Sequence, residues 1–123
     1  MKVADDILEC VGNTPIVKLS RITEAEGVDV EILAKLEFYN PSGSLKDRIY
    51  REMISKAIER GELRDGMEIL EVSTGNAGIA CSFVGTHLGY RVTIVMPEGM
   101  SEERKQLIKA FGGSLIFTPG GES

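Results

Sequence analysis

Three short runs restrict this chain more than anything else in it: MEILEVS at 67–73, RVTIVMP at 91–97 and SLIFTP at 114–119. Their centres, EILEV, VTIVM and LIF, are nearly continuous in apolar residues, which suits strands buried on both faces. Helix-patterned stretches separate them. GNAGIACSFVGTHLG (75–89) closes at Gly89, and SEERKQLIKAFGG (101–113) has a serine cap and a glycine stop. Ahead of these, VEILAKLEF (30–38) places Val30, Ile32, Ala34 and Leu36 on one side of a strand. A helix from Leu45 to Arg60 then carries Ile49, Met53, Ile54, Ala57 and Ile58 at helical spacing before Gly61. The order β-α-β-α-β-α-β predicts an α/β fold with a parallel sheet covered by helices. Before it, residues 3–10 read as a short amphipathic helix, VGNTP as a break, and IVKLS (16–20) as a brief strand.

Charge and composition narrow the partners. A formal net charge of −5, with Lys and Arg scattered among acids as in EERK (102–105), offers no basic stripe for a nucleic acid. No segment has the apolar length of a bilayer span, and the acidic start MKVADDILEC is unlike a signal peptide. Cys10 and Cys81 have no metal-ligand spacing, and Cys81 in GIACSFVG reads as a buried, inert thiol. A cytoplasmic protein without membrane or nucleic-acid partners is the expectation. His87, the single histidine, lacks metal-binding companions in the sequence.

Open parallel sheets bind ligands beyond the carboxyl ends of their strands. Two loop-to-helix turns should lie there: NPSGSLK (40–46) after VEILAKLEF, and STGNAG (73–78) after MEILEV. Each presents unpaired N–H groups at a helix start, which favour a carboxylate or phosphate. Lys46 is electrostatically misplaced there, because the positive helix end disfavours an ammonium. A readily neutral amine is what a Schiff-base nucleophile needs. In the second loop Gly75 and Gly78 allow close approach of a ligand, and Ser73, Thr74 and Asn76 supply hydrogen bonds. Asp47 and Arg48 are expected to form surface pairs, and Tyr39 could line the cleft.

NPSGSLKDR resembles the cofactor-lysine motif of fold-type-II pyridoxal-phosphate enzymes, the tryptophan synthase β superfamily, and within it the cysteine synthase and cystathionine β-synthase family. VSTGNAGIA resembles that family's substrate-carboxylate loop, VGNTPIVKLS its opening segment, and residues 96–120 the stretch after its third strand. The resemblance spans nearly the whole chain with four motifs in order. It implies the three-layer, parallel-sheet small domain of such an enzyme, with the start of its large domain. Residues 1–38 would belong to the large domain and 39–123 to most of the small mobile domain.

The resemblance further implies that Lys46 carries pyridoxal 5'-phosphate as a Schiff base and later shuttles the α-proton of an amino-acid substrate. Asn76 would hydrogen-bond the cofactor's 3′-hydroxyl. Ser73, Thr74, Gly75, Asn76 and Ala77 would grip the substrate carboxylate. The usual chemistry is β-replacement on an O-activated serine by a sulfur nucleophile to give cysteine, in homodimers. Two departures matter. The usual Thr-Ser-Gly-Asn-Thr loop is Ser-Thr-Gly-Asn-Ala here, so Ala77 brings no hydroxyl, and a serine/threonine dehydratase or threonine synthase stays open. Family members are also more than twice as long and place a glycine-rich phosphate cup in their second half. Neither Gly112-Gly113 nor Gly120-Gly121 reads as that cup, so the chain is expected to be an N-terminal part. A truncated, non-catalytic domain is the alternative of another class.

Overall fold

The computed structural model describes residues 3–120. In chain order the elements are β1 (Ile16–Lys18), α1 (Ser20–Ala25), β2 (Leu33–Lys35), α2 (Lys46–Glu59), β3 (Glu68–Val72), α3 (Asn76–His87), β4 (Arg91–Pro97), α4 (Glu102–Ala110) and β5 (Ser114–Thr118). Single 3-10 turns form at Ile7–Cys10 and Glu37–Tyr39.

The three apolar runs form a parallel sheet of order β3-β4-β5, with Ile69 opposite Val92 and Ile94 opposite Leu115. Because side chains alternate along a strand, this register gathers Ile69, Glu71, Val92, Ile94, Met96 and Leu115 on one face. Helix α3 lies on that face and approaches closely through two glycines. A Cβ on Gly85 would stand 2.6 Å from Val92 Cγ2 and 3.0 Å from Ile69 Cδ1, and one on Gly78 would stand 3.1 Å from Ile94 Cγ2. Helix α2 flanks α3 on one side through Tyr50 and Ile54, and α4 flanks it on the other through Ile108. With sheet below and helices on both flanks, α3 is buried continuously from Gly78 to Gly85, as an all-round apolar helix should be. Each fully buried Val, Ile or Met of this core contributes about 1.5–3 kcal/mol.

The opposite face corrects the expectation of strands buried on both sides. Leu70, Val72 and Ile116 are 65%, 74% and 54% exposed, because no element among the described residues packs over them. Only the central strand β4 approaches two-sided burial, with Thr93 buried and donating to Glu68 Oε1 at 2.5 Å.

The N-terminal part also differs from expectation. VEILAKLEF does not join the parallel sheet; it is a strand only over Leu33–Lys35, paired antiparallel with β1. The sheet therefore has three parallel strands, not four. The ladder extends by Leu19 N–H to Ile32 O and Leu36 N–H to Pro15 O before Glu37 turns the chain into its 3-10 turn. Helix α1 has no counterpart in the sequence pattern. The helix expected over 3–10 shrinks to one 3-10 turn, begun by Asp6 accepting from Leu8 N–H at 2.7 Å.

Candidate active site

Two contacts fix how α2 lies on the sheet. Tyr50 Oη donates to Glu71 Oε2 at 2.8 Å. One turn later, Ile54 Cδ1 comes within 3.8 Å of the Cβ position of Gly85, where Ile69 and Val92 also converge. Going back from Ile54 to Tyr50 thus moves from Ile69 to Glu71, towards the carboxyl end of β3. Lys46, one further turn back, is carried to that end. Helix α3 starts there directly, after β3 and the loop 73–75. The two helix N-termini share one edge of the sheet. The route differs from the sequence expectation, since the lysine loop arrives from the antiparallel pair and not from a neighbouring strand of the same sheet.

The lysine loop is held by its own side chains. Asn40 O accepts from Gly43 N–H at 2.8 Å, and Gly43 takes a φ of +93°, which glycine adopts without strain. Asp47 is fully buried; it accepts from Ser42 N–H at 2.8 Å and from the Ser42 hydroxyl. Ser44 Oγ accepts from Lys46 N–H at 3.2 Å. An acid in the first turn of a helix complements the dipole. The Lys46 side chain is half-buried, and its Nζ has no hydrogen bond or ion pair among the described residues.

Asp47, fully buried, corrects the expectation of a surface pair, whereas Arg48 does pair, with Glu37 and through a partly exposed side chain. Arg48 makes a two-pronged contact with Glu37, Nε to Oε2 at 2.8 Å and Nη2 to Oε1 at 3.0 Å. Thr14 Oγ1 donates to Glu37 Oε1 at 2.5 Å and accepts from Arg48 Nη2 at 3.1 Å. Asn40 donates to Glu37 Oε2 at 3.1 Å and accepts from Gly12 N–H at 2.8 Å. The Arg48 hydrogen bonds, and then that from Thr14, hold the Glu37 carboxyl down at about 2. No local spacing signals this network, which joins residues up to 34 positions apart. The Asp47–Ser42 bond was within reach of the sequence, as a carboxylate five residues after a serine at a helix start.

In the second loop the five candidate residues divide by role. Ser73 is buried, and its Oγ accepts from Gly78 N–H at 2.9 Å and Gly75 N–H at 3.2 Å, so this hydroxyl ties the loop to α3. Thr74 and Asn76 are exposed, while Gly75 and Ala77 are half-buried. The N–H groups of Asn76 and Ala77 have no acceptor among the described residues. The site can therefore offer an anion two backbone donors, the Thr74 hydroxyl and the Asn76 amide.

Other singled-out residues lie elsewhere. Tyr39 is exposed and stacks on Phe38, ring centroids 4.8 Å apart. His87 Nε2 is 2.9 Å from Asp6 Oδ1. Burial pushes the Cys81 thiol up to about 12. Gly113 is a packing position, since a Cβ there would stand 2.4 Å from Ser82 Oγ. Gly120 is exposed, and Gly121 lies outside the described residues. An open concavity of about 520 Å³ is lined by Lys18, Thr23, Glu24 and residues 27–31, and contains none of the candidate residues. No helix among the described residues is long and apolar enough to cross a membrane.

Known proteins share this fold. The family model described as pyridoxal-phosphate dependent enzyme matches residues 7–123. A cysteine synthase of Staphylococcus aureus is 44% identical over 99% of this chain and 39% of its own length. A cysteine synthase structure from Entamoeba histolytica superposes with a TM-score of 0.92 at 45% identity, over 97% of this chain and 36% of that one. The O-acetyl serine sulfhydrylase isoform 3 of the same organism gives 0.90 at 43% identity, over 97% and 36%. The chain thus spans well under half the length of the proteins it matches. With the family model matched over residues 7–123 and relatives 44% identical across nearly the whole chain, the chain belongs to the pyridoxal-phosphate dependent enzyme family.

Proposed function

We propose that the chain is the N-terminal part of an enzyme that replaces the β-substituent of an O-activated serine with a sulfur nucleophile, giving cysteine. The observation that carries this reading is the Lys46 amine, half-buried and without a partner among the described residues, at the edge where the 73–77 loop opens. The resemblance of the chain to cysteine synthases and to an O-acetyl serine sulfhydrylase supports the substrate class.

The residues present fit one end of the cofactor. Lys46 supplies a primary amine for an aldehyde, and Asn76 an exposed amide for a ring hydroxyl. No glycine-rich cup for the phosphate stands among the described residues; Gly113 is occupied in packing. When bound, pyridoxal phosphate supplies an electron sink for the pair left as the substrate's α-proton departs. The chain's own work is orientation and proton transfer. Lys46 Nζ holds the α-proton and returns it. The N–H groups of Asn76 and Ala77, with the Thr74 hydroxyl, hold the substrate carboxylate at the positive end of α3. Ser73 keeps that loop in shape through its two accepted hydrogen bonds. Ala77 turns its methyl to the core, so carboxylate binding leans on backbone donors.

A second reading has its own observation. The exposed Leu70, Val72 and Ile116 face favours a domain that acts only beside further polypeptide. Ala77, which brings no hydroxyl, keeps a threonine-directed relative open. The experiment is to load the chain with pyridoxal phosphate and follow its visible band on addition of O-acetylserine or threonine. Loss of the band with O-acetylserine alone supports β-replacement. Loss with threonine alone supports the dehydratase or threonine synthase reading. A band that responds to neither supports the dependent domain.

A further inference from the structure

The VGNTP segment takes no part in the site just described, yet it is bonded to the residues around Lys46. Gly12 N–H donates to Asn40 Oδ1 at 2.8 Å, at the first residue of the lysine loop. Thr14, itself buried, bridges Glu37 and Arg48, and Arg48 lies two residues after the lysine. Gly12 has a φ of +91°, and a Cβ there would stand 2.9 Å from Arg48 Nη1, so this turn is shaped to seat the guanidinium. Lys35 Nζ donates to Thr14 O at 3.4 Å from the neighbouring strand. At the far side of the loop, buried Asp47 holds Ser42.

We propose that Gly12 and Thr14, with Glu37, Asn40 and Arg48, form a clamp that positions Lys46 by fixing both ends of the loop Asn40–Leu45. The inference rests on the reading of Lys46 as the cofactor lysine. The physical case is geometric. Residues 40–45 hold no helix or strand; the local Asn40–Gly43 and Ser42–Asp47 bonds shape the loop, and its placement depends on its ends. One end is pinned at Asn40 by Gly12 and Glu37, and the other at Arg48 by Glu37 and Thr14. Glu37 binds both ends and is the hub. A planar guanidinium engaged at two points fixes orientation as well as distance, which a lysine cannot do. Positioning errors of ~1 Å are enough to cost a reaction ~100-fold. These are positioning residues; none needs to touch the cofactor.

The test uses the 123-residue chain and the variants Glu37→Gln, Arg48→Lys and Thr14→Val. Thr14→Val removes one hydroxyl and keeps the ion pair, so the test stands if Glu37→Gln fails to fold. The first measurement is amide hydrogen exchange. The clamp requires exchange at Gly12, Ser42 and Gly43 to rise about tenfold in each variant, while the amides of α3 and β4 change less than about twofold. The second is the rate at which pyridoxal phosphate labels Lys46. The amine and the aldehyde join with loss of water, borohydride reduces the C=N bond to a stable secondary amine, and mass mapping locates it. That rate should fall about tenfold in Arg48→Lys even though the charge is kept. Unchanged exchange at the loop overturns the clamp, whatever the labelling does. Loop exchange raised without any slowing of labelling overturns its link to Lys46. If wild type labels other lysines and not Lys46, the functional reading fails and so does the positioning role, while exchange still shows whether the loop is clamped.

Discussion

Gly85 is where α2, α3, β3 and β4 meet, and replacing it by alanine sets two effects of known sign against each other. In a helix interior alanine is favoured over glycine by about 1 kcal/mol. Against this, the new Cβ would stand 2.6 Å from Val92 Cγ2 and 3.0 Å from Ile69 Cδ1. Carbon atoms prefer a separation of about 3.5–4.0 Å, so something must move by about 1 Å. Val92 is 2% exposed and its strand is in register with β3, so it has little room to yield. Overpacking of this kind costs about 1–3 kcal/mol. The clash should win, for a net loss of about 1 kcal/mol, and at most about 2, after the propensity gain. With a urea slope of about 1–3 kcal/mol per molar, the unfolding midpoint should fall by roughly 0.3–1 M. A double-mutant cycle locates the cause. Val92→Ala removes the clashing methyl, so Gly85→Ala with Val92→Ala should be less damaging than the two single effects added, by about 1 kcal/mol. A raised midpoint for Gly85→Ala would refute the argument, as would strict additivity. The consequence reaches the site, because the same contact sets α2 on α3 and therefore Lys46 against the 73–77 loop.

Other contacts set shorter expectations. Glu37 titrates near 2 in the fold against an ordinary 4.5, so its contribution to stability is complete above pH 4.5 and is lost as pH falls through about 2. Urea midpoints of wild type and Glu37→Gln should therefore converge as the buffer is taken from pH 5 to pH 2; a constant gap would contradict this. Ser73→Ala should cost about 1 kcal/mol in thermal unfolding by removing the acceptor of Gly75 and Gly78, whereas exposed Thr74→Ala should stay within about 0.5 kcal/mol. Tyr50→Phe should cost about 1 kcal/mol by stripping Glu71 of its donor. In alkaline difference spectra of wild type, Tyr50 should ionise well above the ordinary tyrosine range, because burial and then Glu71 raise it. A disulfide reagent should modify exposed Cys10 quickly and Cys81 only at the rate of unfolding, since Cys81 is 0% exposed and its thiol lies near 12.

What could be read from the sequence follows from which signals are local. Strands β3, β4 and β5 and helices α2, α3 and α4 fall within two or three residues of the apolar periods and glycine stops that mark them. The closures at Gly61 and Gly89 reflect left-handed φ values of +71° and +91°. The pairing of Leu33–Lys35 with Ile16–Lys18 was not legible, because no tight turn joins them and both strands are largely exposed. Val30 and Ile32, which alternate convincingly, are 55% and 41% exposed. The open face of β3 and β5 escaped for a related reason: apolar strands report what they need buried, and not which segment buries it. In the site, Lys46 and the 73–77 loop were legible as residue types at helix starts. The division of labour between Ser73, which braces, and Thr74 and Asn76, which face outward, depends on where α3 begins to turn. The Thr14–Glu37–Arg48 network links three separate segments, and no spacing rule announces it.

The functional reading turns on Lys46 being the cofactor lysine. The most direct measurement is the visible spectrum of the chain after pyridoxal phosphate and gel filtration, wild type beside Lys46→Ala. A yellow band retained by wild type and absent from the variant is the expected result. A band of equal strength in both would contradict the claim, because the cofactor would then sit on another lysine.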